Sequence, residues 1–462
     1  MKSPLSPLLA FALLFIACGE QPRAMASEPA LFYQLSPPFM DASPSDLTVA
    51  GDYLFFLAHD GSATWLWRTD GTVEGTIKLT PSPRVEIVQL GNIILFSRSD
   101  NDTGAELWRS DGTPEGTTMV KDIRPGQSGS FPRYFFVFQD RVFFVANDGE
   151  HGEELWASDG TEQGTMLVKD TRPGGSGMQA PLNVAVLNNK FFFTNTPAQG
   201  DWKNLWVSDG TTAGTTTFTD PEENSGPFAA QILIGFSNQI LIQGQRELNA
   251  YRSDYWRSDG TSFGTVRITD TYEDWVPVGY SAGLGNNTLL GETAIIRYYP
   301  GAISFVRKPL WTVDWPDSDI RPSGPLVSLG DKVYFSARNI SNFDGFQLWR
   351  TDGTVLGTLE VAVVDPTGSF GPSDIEAIDG SLYFSAPDAD VNRQLWISDG
   401  TTSGTRLHTI INPTGHASPG GFTLFKDRIY FSADDGQRGR QLWSMAPIDT
   451  NTIFTDAFEQ SN

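Results

Sequence analysis

One eleven-residue pattern, [LY]-W-x-[ST]-D-G-T-x-x-G-T, occurs seven times and limits the possible folds more than any other feature of this chain. Its copies begin at Leu66, Leu107, Leu155, Leu205, Tyr255, Leu348 and Leu395. Self-similarity at this spacing marks a repeat architecture, in which a unit buries its apolar faces only by stacking on its neighbours. Trp67, Trp108, Trp156, Trp206, Trp256, Trp349 and Trp396 lie in the pattern, while Trp311 and Trp443 lack its DGT tail. The nine recur with a mean spacing of 47 residues. Trp256 and Trp349 stand 93 residues apart, two periods within one residue, so the degenerate run at Leu310 marks an eroded unit. Nine units follow.

Each unit reads as four short strands. In residues 131–170 they are FPRYFFVFQD, RVFFVAND, EELWASDG and GTMLVKDT, aromatic and β-branched runs bounded by Asp, Gly and Asn. The third and fourth strands meet at DGTEQGT, where Asp bonds its own following backbone and Gly supplies positive φ. Leu and Trp are adjacent, so on a strand they point to opposite faces, and both faces must be covered. Four-stranded antiparallel units covered on both sides by their neighbours describe an all-β fold, a β-propeller. Nine blades exceed the usual range of about 4–8, and eight remain if the divergent unit at 271–320 forms none. The last unit stops after three strands, while ALFYQLSPP (30–38) is an orphan strand near the start. Pairing the two would close the ring and remove its open edge.

Before the repeats, Met1–Cys18 reads as a targeting segment: Lys2 is followed by a ten-residue apolar run at 8–17, too short to span a bilayer. Phe15-Ile16-Ala17-Cys18 resembles a bacterial lipobox, although Phe15 stands where Leu is usual. That resemblance implies lipid attachment at Cys18, and Gly19 after it resembles lipoproteins sent to an outer membrane. Cys18 is the only cysteine, so the exported part carries no disulfide. An ordinary secretory signal cleaved near Ala24 or Ala26 is the alternative. Residues 19–29 read as a tether, 30–446 as one repeat domain and 447–462 as a polar tail.

The stretches Glu106–Asp122 and Glu154–Asp170, ELWxSDGTxxGTxxVKD, resemble the bacterial ELWxxDGT repeat family over nearly all of the exported chain. The resemblance implies the repeat fold and an exported location, and it supplies no site.

A formal charge of −23 repels phosphate backbones, which argues against nucleic acid. It also argues against contact with anionic lipid except through an anchor. Chemistry-bearing constellations are sparse. His59, His151, His408 and His416 are scattered and read as surface side chains, and HGEEL at 151–155 lacks the HExxH spacing. The repeated Asp residues, from Asp70 to Asp399, read as fold-forming turn residues. Asp100 with Asp102, and Asp388 with Asp390, place carboxylates at alternate positions, as calcium loops do, without the full EF-hand pattern. Calcium is the one cofactor these loops would admit. Trp202, Trp275 and Trp315 stand outside the repeat register and would offer flat apolar faces to a sugar. The expectation is a monomeric, exported, lipid-anchored propeller acting as a binding or scaffold module at the cell surface, for a glycan or protein ligand. A sialidase-like or polysaccharide-lyase-like propeller enzyme and a purely structural envelope protein stand as alternatives.

Overall fold

Short apolar runs punctuated by Gly and Asp become antiparallel hairpins, and in the computed structural model every assigned element is a strand. The structure describes residues 28–174, 184–195, 205–218, 228–236, 239–245, 253–267, 282–284, 288–291, 294–297, 320–339, 345–352, 357–365, 368 and 371–448. Among the described residues nine sheets follow one another along the chain. Blade 1 comprises Ser45–Ala50, Tyr53–His59, Thr64–Thr69 and Ile77–Pro81, from the central axis outward. Blade 2 comprises Pro83–Leu90, Ile93–Asp100, Gly104–Ser110 and Thr118–Lys121. Blade 3 comprises Arg133–Phe138, Arg141–Asn147, Glu153–Ser158 and Met166–Lys169. Blades 4, 5, 7 and 8 repeat the order across 184–217, 228–267, 320–362 and 373–409.

The divergent unit forms a sheet, blade 6, with three strands among the described residues: Ala282–Leu284, Thr288–Gly291 and Ala294–Arg297. Trp311, which marked it in sequence, lies outside the described residues. Blade 9 comprises Gly420–Phe425, Arg428–Asp434 and Arg440–Met445, with Ala30–Tyr33 as its outermost strand. Leu31 pairs with Trp443, and the inner strand of blade 9 lies against that of blade 1. The chain is a β-propeller closed by its own N-terminal strand.

The core sits between blades. Leu155 packs toward blade 4 and Trp156 toward blade 2. Likewise Leu66 faces blade 2 and Trp67 faces blade 9, while Leu205 faces blade 5 and Trp206 faces blade 3. Within each Leu-Trp pair, then, Leu goes to the following blade and Trp to the preceding one. Strand alternation makes this necessary, since adjacent side chains cannot share a face. The antiparallel order also sorts the loops. Inner-to-second turns and the DGT turns lie on one face, here called the turn face. Second-to-third hairpins and the connections between blades lie on the other.

Candidate functional site

The turn face is accounted for by the repeat itself. In blade 2, Asp111 Oδ1 accepts from the Thr113 N–H (2.9 Å) and the Thr113 hydroxyl (2.7 Å). The Gly116 N–H donates to Thr113 Oγ1 (2.9 Å), and the Thr117 hydroxyl donates to the Thr113 carbonyl (2.7 Å). Ser110 Oγ meets Thr117 Oγ1 at 2.8 Å and accepts from the Gly112 N–H at 3.1 Å. These bonds, led by the Thr113 hydroxyl, lower the Asp111 pKa. Gly112 has φ 91, which only glycine adopts freely. A Cβ on Gly116 would lie 2.1 Å from Asp111 Oδ1, so the second glycine of the motif is required by contact. The same network recurs at Asp70, Asp159, Asp209, Asp259 and Asp399.

These turns also join blades. Arg68 Nε donates to the Gly112 carbonyl (2.9 Å), Arg109 Nη1 to that of Gly160 (3.0 Å) and Arg350 Nη1 to that of Gly400 (3.1 Å). The third strand of one blade thus holds the DGT turn of the next.

On the opposite face, in blades 2, 3, 7, 8 and 9, a buried residue just before the Leu-Trp pair ties down the connection to the following blade. Glu106 accepts from the N–H groups of Ile123, Arg124 and Ser130 and from the Ser130 hydroxyl. Glu154 accepts from the Thr171 N–H (2.8 Å) and hydroxyl (2.5 Å). Gln347, Gln394 and Gln441 use the amide oxygen in the same way and donate from the amide nitrogen to connection carbonyls. Burial raises the pKa of both glutamates, that of Glu154 to about 7.

The acidic loops singled out in sequence lie among the hairpins of this face. Asp100 Oδ1 accepts from the Asp102 N–H (3.0 Å), the Thr103 N–H and the Thr103 hydroxyl, while Oδ2 takes Arg98 Nη1 at 3.1 Å. The Thr103 N–H is the leading cause of its lowered pKa, although burial opposes it. Asp102 is exposed beside it. Asp388 is buried and accepts from the N–H groups of Asp390 and Asn392, both at 2.9 Å. In both loops the first carboxylate closes its own turn. Among the described residues no group of three or more His, Cys, Asp or Glu could hold a metal. Cys18, Trp202, Trp275 and Trp315 lie outside the described residues.

His59 Nδ1 accepts from the Gly61 N–H and His416 Nδ1 from the Arg393 N–H, both at 3.0 Å. His151 Nδ1 meets Asp148 Oδ2 at 2.7 Å. Against the expectation of a surface side chain, His408 is half-buried and its pKa is lowered by desolvation.

A cleft of about 950 Å³ opens where the inner strands of blades 1, 2 and 3 begin. Its lining includes Ser43, Arg84, Glu86, Phe131, Arg133 and Tyr134. Four of these have left-handed backbones: Ser43 (φ 46), Glu86 (φ 79), Phe131 (φ 53) and Tyr134 (φ 58). The positions recur around the ring. The N–H groups of Ser43, Phe131 and Ser418 each bond a carbonyl in the first two residues of a third strand: Arg440, Ala105 and Arg393 respectively. Tyr134 stands at the inner-strand bulge where other blades have Asp46, Asp374 and Gly421. Ser, Asp and Gly tolerate the left-handed region, whereas bulky aromatic residues there are outliers. Blade 3 alone among these places aromatic residues at both positions, and both line the cleft.

Arginines stack on those rings. Arg84 Cζ lies 5.0 Å from the centre of Phe131, and Arg133 Cζ lies 5.3 Å from that of Tyr134. Arg133 Nη2 pairs with Glu153 Oε2 at 2.7 Å. The Glu86 carboxylate accepts from the Tyr134 N–H at 2.7 Å, bridging blades 2 and 3. Among the described residues the Arg84 side chain makes no ion pair or hydrogen bond. Spacing along the chain gave no sign of this cleft. Aligning the units would have shown Phe131 in the column of Ser43 and Ser418.

No protein-family description matches the chain, and no curated protein matches it. Solved structures do. A puromycin-hydrolyzing peptidase of Mycobacterium tuberculosis is 12% identical over 88% of this chain and 61% of its own, with a TM-score of 0.41. An acylaminoacyl peptidase of Pyrococcus horikoshii is 12% identical over 85% of this chain and 57% of its own, with a TM-score of 0.37. The β-propeller domain of the Trilobed protease of Pyrococcus furiosus is 12% identical over 88% of this chain and 95% of its own, with a TM-score of 0.38. The chain spans about three fifths of the length of the first two. At this identity the likeness speaks to fold alone. It corrects the expected function: the neighbours are peptidases and a protease propeller domain, so a propeller module is supported. A cell-surface binding or scaffold role for a glycan or protein is not.

Proposed function

We propose that this chain is a propeller module that acts through the cleft-bearing face, while the turn face builds the ring. The observation that carries this reading is the pair of left-handed aromatic residues at the cleft, Phe131 and Tyr134. Backbone strain of this kind costs roughly 1–3 kcal/mol per residue, persists only where the surrounding structure enforces it, and clusters at functional sites. The DGT turns are the reverse case, because each residue of the motif has a hydrogen bond or contact that explains it. The apolar run at 8–17 and Cys18 support a location outside the cytoplasm with a lipid anchor.

The test compares chemical denaturation of three variants. Phe131→Ser installs the residue found at the equivalent place in blades 1 and 9, and should leave stability unchanged or raise it by about 0.5–1 kcal/mol. Arg84→Ala should be neutral. Asp111→Ala should lose about 1–2 kcal/mol through the unmade bonds of its turn. A loss from Phe131→Ser as large as that from Asp111→Ala would make the cleft aromatics structural and overturn the reading.

A further inference from the structure

If the cleft-bearing face is the acting one, the cleft's own chemistry narrows what enters it. A volume of about 950 Å³ lies within the range of small-molecule sites, roughly 300–1,000 Å³. The Arg84 guanidinium lies over the Phe131 ring and has no ion-pair or hydrogen-bond partner among the described residues. A ring covering one face of a guanidinium leaves its in-plane N–H edge, which matches the two oxygens of a carboxylate. Phe131 is itself 40% exposed, so apolar surface lies beside that edge. The other charged groups set the ligand's charge. Arg133 is neutralised by Glu153, and the Glu86 carboxylate accepts from the Tyr134 N–H and is paired with no cation among the described residues. Two carboxylates in the lining and a formal charge of −23 disfavour a dianion more than a monoanion.

We propose that this cleft binds a small organic monocarboxylate, with its carboxylate on the N–H edge of Arg84 and its apolar body against Phe131 and Pro132. The proposal rests on the reading that this face is the acting one.

Benzoate titrated into the full chain tests it by calorimetry, with acetate, benzamide and inorganic phosphate as comparison probes. Benzoate should bind saturably, acetate more weakly for want of a ring, and benzamide not at all. Arg84→Gln and Phe131→Ser should each weaken benzoate about tenfold or more, which is about 1.4 kcal/mol, with the folded state checked by circular dichroism. Arg84→Lys should fall between, because an ammonium keeps the charge and loses the planar fork. No benzoate binding to the wild type, or equal binding to Arg84→Gln, would overturn the proposal. Phosphate binding more tightly than benzoate through Arg84 would replace the carboxylate class and overturn it too. If the cleft substitutions leave stability unchanged and benzoate still fails to bind, the carboxylate falls while the acting face stands.

Discussion

The backbone N–H of Ile448 donates to the phenolic oxygen of Tyr383 at 3.0 Å, and the Ile448 side chain is buried between blades 8 and 9. Elsewhere that place over a second strand belongs to a DGT turn. The Tyr334 hydroxyl of blade 7 donates to the Gly400 carbonyl of blade 8, and the Gly71 turn of blade 1 sits over Tyr430 of blade 9. Blade 9 takes its outermost strand from the N-terminus, so no third-to-fourth turn exists to cover Tyr383. The segment after Met445 covers it instead. Truncation after Met445 should therefore destabilise the ring, and Ile448→Ala should cost about 2–4 kcal/mol by the loss of a buried side chain. Chemical denaturation measures both. A truncated chain as stable as the full one would mean that Tyr383 needs no cover.

Closure at the other end is equally testable. Leu31 pairs with Trp443, and the Gln441 amide accepts from Leu35 and donates to the Ser36 hydroxyl and the Met40 carbonyl. Deleting residues 28–38 removes the strand and takes Leu35 and Ser36 from the buried amide of Gln441. The melting temperature should fall by several degrees, since roughly 1 kcal/mol corresponds to about 2–4 °C at 150–250 residues and to less in a longer chain. An unchanged melting curve would show that the ring closes without its N-terminal strand.

The turn motif predicts coupling between two of its residues. A Cβ at Gly116 would meet the Asp111 carboxylate at 2.1–2.3 Å. Gly116→Ala should cost more than 2 kcal/mol by forcing that carboxylate out of its bonds. In an Asp111→Ala background the obstacle is gone and the same substitution should cost roughly 1 kcal/mol or less. A double-mutant cycle from urea denaturation reads the difference, and strictly additive losses would place the clash elsewhere.

Much of this architecture was legible in the chain, for reasons the geometry makes plain. Adjacent Leu and Trp had to face two different neighbours, as Leu155 and Trp156 do. The orphan strand at residues 30–38 and the three-stranded last unit each lacked what the other had. Reach across the fold was harder to read. Gly116 is fixed by a carboxylate five residues away that returns through a turn, which no propensity records. The cleft gathers Ser43, Arg84 and Phe131 from three blades, and residue type does not announce that Phe131 or Tyr134 has a left-handed backbone. The divergent unit drew attention through its irregular sequence, whereas the left-handed aromatic pair lies in blade 3, whose motif is regular.

Glu154 gives the ring a pH dependence whose direction follows from burial. Its pKa stands at about 7 in the folded chain against 4.5 in the unfolded one, with desolvation the leading cause and Asp170 adding to it. The Thr171 N–H and hydroxyl favour the ionised form, but burial outweighs them. Below pH 4.5 both states hold the proton; between 4.5 and about 7 the folded state alone does, so stability falls as pH rises through that window. The loss approaches roughly 3 kcal/mol at most above it. Glu154→Gln should remove this slope, because an amide can keep the bonds from Thr171 with its oxygen, as Gln347, Gln394 and Gln441 do at equivalent places. The variant should be more stable than the wild type at pH 8 and no more stable at pH 4.5. Glu106→Gln should behave differently. Both Glu106 oxygens accept bonds, so an amide nitrogen would face a donor and cost about 1–2 kcal/mol even at pH 8. Denaturation of the three proteins at pH 4.5, 6 and 8 separates these outcomes, and parallel pH profiles for wild type and Glu154→Gln would show that Glu154 titrates alike in the folded and unfolded chain.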